Sequence, residues 1–111
     1  MARARRQSIP DDIKSQVEAI VDTFNTRVIR DPNRYYCTRY RGNHLYLDRI
    51  DYGMVKARCR LTYTGRMDTW EFAIYKYSDE RYDPDEWMFP GAGYVDGTIE
   101  GAMKAGLEAY P

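Results

Sequence analysis

The chain is short of most residues that announce a chemistry. In 111 residues it has one histidine and two cysteines, and its net charge is zero. Cys37 and Cys59 are too few for a disulfide framework, and their spacing fits no metal motif, so neither a metal nor another cofactor is expected. No apolar run approaches the roughly 18 residues that a membrane span requires. The opening Met1-Ala-Arg-Ala-Arg-Arg6 is basic but no apolar stretch follows it, which argues against a secretory signal and makes a reduced, cytoplasmic setting the default. Zero net charge also argues against avid, nonspecific nucleic-acid binding, which usually shows as a strongly basic domain.

What is present reads as one globular domain. Hydrophobic residues make up 43% and charged residues 31%, too apolar for disorder and ordinary for a packed core. The first seven residues read as a mobile basic tail and residues 8–111 as a single α+β domain. Eleven tyrosines lift the aromatic share to 14%; an apolar ring with a polar tip suits core margins and binding surfaces. The charges are segregated along the chain. Residues 1–60 carry thirteen Lys or Arg against seven Asp or Glu, and residues 61–111 carry four against ten.

Ser8-Ile9-Pro10-Asp11-Asp12 reads as a helix start, with Ser8 as the N-cap and two carboxylates at the positive end of the dipole. Ile13, Val17, Ile20, Val21, Phe24 and Val28 form a helical stripe, which Asp31-Pro32-Asn33 ends. From Arg34 the period becomes two. Gly42-Asn43 suits a two-residue hairpin, which pairs Arg41 with His44, Tyr40 with Leu45, Thr38 with Leu47 and Cys37 with Asp48. Burying Leu45 and Leu47 turns Tyr36, Thr38 and Tyr40 inward and Tyr35, Cys37, Arg39 and Tyr46 outward.

Val55, Ala57, Cys59, Leu61 and Tyr63 alternate with Lys56, Arg58, Arg60, Thr62 and Thr64, the pattern of a half-buried strand. Trp70, Phe72 and Ile74 alternate with Glu71, Ala73, Tyr75 and Tyr77 in the next one. Residues 78–96 show no usable period, yet their aromatics predict a loop folded back onto the core. Asp96-Gly97-Thr98 opens a second helix with Ile99, Ala102, Met103, Leu107 and Tyr110 inward, where Gly101 and Gly106 either weaken it or allow close packing. The expected architecture is α-β-β-β-β-α, a four-stranded antiparallel meander with both helices on one face.

No catalytic motif emerges. His44, at the hairpin tip, reads as a turn residue, and Cys59 as a small core residue. An arginine neighbour would favour the Cys37 thiolate. The carboxylates Asp79, Glu80, Asp83, Asp85 and Glu86 lack calcium-loop spacing and read as a solvated acidic loop.

The remaining constellation is the outer sheet face, expected to present Tyr35, Arg39, Tyr46, Lys56, Arg58, Arg60, Tyr75 and Tyr77. Tyr and Arg are enriched in protein interfaces, so a protein partner or a homodimer is the first expectation. Rings beside cations also suit single-stranded nucleic acid, the alternative, although Asp48 and Glu71 share the face. Four strands followed by a helix resemble, in topology alone, small single-strand binders of the coactivator-like and Pur types.

Overall fold

The computed structural model describes residues 8–111; the expected mobile tail lies outside the described residues. Helix α1 spans Asp11–Phe24 and runs on through a π-helical turn at Asn25–Ile29. Strands β1 (Arg34–Arg41), β2 (His44–Asp51), β3 (Met54–Thr62), β4 (Glu71–Lys76) and β5 (Arg81–Asp83) form an antiparallel sheet in sequence order. A 3-10 turn at Ala92–Tyr94 leads to helix α2, Ile99–Ala109. The architecture is α+β with helices packed on the sheet, as expected, and one strand more. β5 has three residues, too few to carry a period, so its segment reads as loop in the sequence.

The start of α1 differs from expectation. Ser8 is exposed, Pro10 holds the N-cap position without a side-chain cap bond, and Ile9 is buried. The apolar residue before the helix goes into the core, and that contact positions the first turn in place of a hydroxyl cap. At the far end the π turn inserts an extra residue per turn and rotates the stripe. Val28 is 51% exposed, and Ile29 packs against the core in its place. Arg30 ends the segment in the left-handed region at φ 59°. The turn also puts the Asn25 amide against the free edge of β1. Its Nδ2 donates to the Tyr36 carbonyl at 2.9 Å and its Oδ1 accepts the Tyr36 N–H at 2.8 Å, so one side chain stands in for a missing strand.

The first hairpin has the expected register throughout, from Arg41 opposite His44 to Cys37 opposite Asp48. Gly42 supplies the positive φ, 59°, that such a turn requires. Between β2 and β3 the register shifts. Leu47 faces Cys59 but Asp48 faces Ala57, which leaves Arg58 as the extra residue of a β-bulge. Beyond a bulge the pleat changes phase. Cys59 and Leu61 point to the helices as expected, whereas Val55 and Ala57 share the outer face with Ile50 and Asp48. Val55 is 66% exposed.

Beneath the helices the core joins Val17, Val21 and Phe24 of α1, Leu45, Leu47, Leu61, Phe72 and Ile74 of the sheet, and Ile99 and Met103 of α2. Trp70 is buried, its ring 4.9 Å from that of Tyr63. Thr98 caps α2, accepting the Gly101 N–H at 3.0 Å. Gly106 is there for close approach: a Cβ at that position would overlap the Tyr36 hydroxyl, which donates to the Met103 carbonyl at 2.8 Å. The acidic segment folds back as expected, with Phe89 and Trp87 near the Phe72 ring at 6.0 and 6.1 Å.

Candidate functional site

The helices cover one side of the sheet, and the other side carries the candidate site. Its strand register arranges outward residues in rows. One row is Arg41–His44–Thr62–Glu71, and the next is Arg39–Tyr46–Arg60–Ala73. Past the bulge comes the row Tyr35–Ile50–Val55. The face therefore grades from polar at the first hairpin to apolar near the second, where Tyr52 in the turn is exposed as well.

Of the eight residues expected on this face, six are there. Tyr35, Arg39, Tyr46, Arg60 and Tyr75 keep their outward positions, and Tyr77 follows β4 with half its surface exposed. Lys56 and Arg58 are corrected by the bulge. Lys56 lies opposite the buried Arg49, on the helix side, and pairs with Asp51 at 3.2 Å. Arg58 is only 5% exposed. It stacks 4.5 Å from the Tyr110 ring and donates to the Tyr77 hydroxyl at 2.9 Å.

That arginine plugs a gap. The β3–β4 register ends at Cys59 and Ile74, so the strands diverge below it, around a groove of about 520 Å³. Tyrosine hydroxyls take over the ladder's task there: Tyr77 donates to the Ala57 carbonyl at 3.1 Å and Tyr110 to the Tyr75 carbonyl at 2.5 Å.

The aromatic rings on the face hold one another. Tyr46 and Tyr82 meet edge to face at 5.3 Å, Tyr82 and Tyr75 at 4.9 Å, Tyr75 and Tyr77 at 4.9 Å, and Tyr77 and Tyr110 at 5.5 Å. Three guanidiniums lie against this string: Arg39 at 4.5 Å from the Tyr46 ring, Arg60 at 5.5 Å from that of Tyr82 and the buried Arg58 at 4.5 Å from that of Tyr110. Arg39 also forks onto Asp48 at 2.8 and 3.2 Å. That carboxylate is 3% exposed, and its hydrogen bonds push the Arg39 pKa further up. Cys37, across from Asp48, is drawn toward the thiolate by Arg39, but other influences outweigh it. Burial first and the Asp48 charge second raise its pKa. Cys37 and Cys59 lie on opposite faces, as expected.

Tyr82 and Tyr110 were not expected in the site. Tyr82 sits in the aperiodic segment, and Tyr110 shares a helical stripe whose geometry ends one residue before it, at Ala109. His44 opens β2 half-buried, its Nδ1 2.9 Å from Thr62 Oγ1. The acidic segment is gathered by Lys76, which meets Glu86 at 3.0 Å, Asp79 at 3.6 Å and Asp83 at 3.7 Å. Among the described residues no three His, Cys, Asp or Glu side chains group to hold a metal ion, and no helix is long and apolar enough to cross a membrane.

Comparison with protein-family models, curated proteins and solved structures found no match to this chain. The site must speak through its own geometry.

Proposed function

We propose that the protein is a non-catalytic interaction module of the cytoplasm, and that the sheet face which no helix among the described residues covers pairs with the same face of a second copy. The observation that carries this reading is the order of residues within the rows. A twofold axis running along the strands between β2 and β3 lays β1 over the partner's β4 and β2 over the partner's β3, and keeps each row on itself. Arg41 then meets the partner's Glu71, and Tyr46 meets the partner's Arg60. Ile50 meets the partner's Val55. Opposite charges, a ring with a cation and two apolar side chains fall together without rearrangement, which an isologous interface requires. Stacked sheets about 10 Å apart and twisted by about 30° leave room for these side chains.

Single-stranded nucleic acid is served less well. Arg39 spends its charge on Asp48, Arg58 has left the face, and the rings meet edge to face instead of lying open for bases.

Sedimentation velocity across a concentration series tests the proposal. Arg41→Glu and Glu71→Arg should each weaken association about tenfold or more, and the double swap should restore it. Both residues are exposed, so melting temperatures read at a dilution where parent and variants are all monomeric should stay put. A monomer at high micromolar concentration overturns the proposal. So does salt-dependent binding of short RNA or DNA that Arg60→Glu abolishes, since that gives the face to nucleic acid.

A further inference from the structure

Strand β3 has a stretch of edge that its neighbour abandons. It runs from Met54 to Thr62, but β4 pairs with it only from Cys59 upward. Residues 55–57 therefore border the groove of about 520 Å³ in place of a strand. Asp51 and Met54 close the second hairpin around Tyr52 and Gly53, both at positive φ, the turn whose flanking residues exchange both hydrogen bonds. Bonding then alternates along the strand. Met54 and Lys56 bond to β2, and Val55 turns its N–H and C=O toward the groove. No strand meets Val55 on that side among the described residues. The Ala57 carbonyl points the same way, since it accepts from the Tyr77 hydroxyl and from Arg58 Nη1, each at 3.1 Å.

A free sheet edge binds extended peptide through main-chain hydrogen bonds, and alternate side chains set the specificity. Val55 and Ala57 lie on the open side of the sheet, so an added strand gains from apolar residues opposite both. Lys56, between them, points to the helix side, with 38% of its side chain exposed. Asp51 takes one of its three N–H donors, at 3.2 Å, and is shared with Arg34, which leaves the ammonium room for a second carboxylate. Lys56 and Arg58 line the groove, and among the described residues no carboxylate does. The charge of the groove therefore selects an acidic residue opposite Lys56.

We infer that the groove takes up an extended peptide of a partner protein as an added strand against residues 55–57, with apolar residues opposite Val55 and Ala57 and an acidic residue between them. Peptide N–H groups meet the Val55 and Ala57 carbonyls, the second in place of the Tyr77 hydroxyl, and the Val55 N–H meets a peptide carbonyl. The bonds run to exposed main chain, so the buried Arg58 guanidinium stays where it is. The inference does not rest on the proposed dimer, although Val55 belongs to both surfaces.

Amide chemical-shift titration tests this on the full chain carrying Arg41→Glu, which the dimer proposal makes monomeric and which lies two strands from the groove. The probe is acetyl-Thr-Val-Glu-Val-Thr-amide. It should give saturable shifts centred on Val55, Lys56, Ala57 and Tyr77. N-methylation of both valines removes the donors that face the edge and should abolish the response. Lysine in place of the central glutamate should weaken binding about fivefold. Val55→Pro removes the groove-facing N–H and no bond to β2, and should weaken the peptide about fivefold or more; if that variant fails to fold, the N-methylated peptide decides. Absence of saturation, equal binding of the N-methylated or the lysine peptide, shifts centred outside the groove, or full affinity in folded Val55→Pro overturns the assignment. None of these outcomes touches the association of the parent chain, which sedimentation reads by itself.

Discussion

The two sides of the sheet use the same residue types and satisfy them differently. On the helix side, the two most deeply buried polar tips reach backbone acceptors across the layer: Tyr36 donates to the Met103 carbonyl, and Arg49 to the end of α2. On the open side the arginines reach neighbouring side chains. Arg39 lies on Asp48 and Tyr46, and Arg60 on Tyr82. A buried hydroxyl or guanidinium cannot fall back on water, so its acceptor must be built into the fold. A side chain at the surface can exchange partners. The helix side should therefore govern stability, and the open side association.

The largest test of that division is Trp70→Ala. The ring is 4% exposed, and its loss should cost about 3–5 kcal/mol in urea unfolding. A melting temperature close to the parent's would mean that the assigned core is not the core. Next comes Gly106→Ala, whose added methyl overlaps the Tyr36 hydroxyl and should cost about 1–3 kcal/mol by overpacking. Tyr36→Phe loses the bond to Met103, worth about 1 kcal/mol, but makes room, because the next Tyr36 atom, Cζ, is 3.5 Å from the new methyl. The double variant should thus be more stable than the sum of the single costs. Strict additivity would show that these groups do not touch.

The smallest effect is alkaline. Burial raises the Tyr36 pKa, so the folded chain keeps a proton that the unfolded chain gives up above about pH 10. Stability is then whole below that pH and falls as pH rises through and beyond it. Tyr36→Phe should flatten this decline in denaturant titrations. An unchanged slope would assign the alkaline loss to other groups, such as Tyr82 and Tyr110, whose pKa values burial also raises.

The pleat of the first hairpin was legible because its turn is local. Two residues, one of them glycine, set the register, and the leucines then chose the buried side. The inward set Trp70, Phe72 and Ile74 was legible for a similar reason, since in a strand one buried side chain dictates its neighbours two residues away. The site was legible only in part. Six of its residues follow from alternation alone, while Lys56 and Arg58 do not, because Val55–Thr64 reads as an unbroken alternation and nothing in it marks an extra residue.

The sequence by itself determined the order of the two helices and the four longer strands, the first hairpin's register and most of the apolar set that enters the core, because each follows from a short-range period or a turn. Tertiary structure alone decided the bulge at Arg58, the π turn that trades Val28 for Ile29, and the pairing of a three-residue β5. The bulge and the π turn each move the chain by one residue, which costs little locally, and β5 is too short to carry a period. The choice is made by partners distant in sequence: Tyr77 and Tyr110 around Arg58, and the edge of β1 for Asn25.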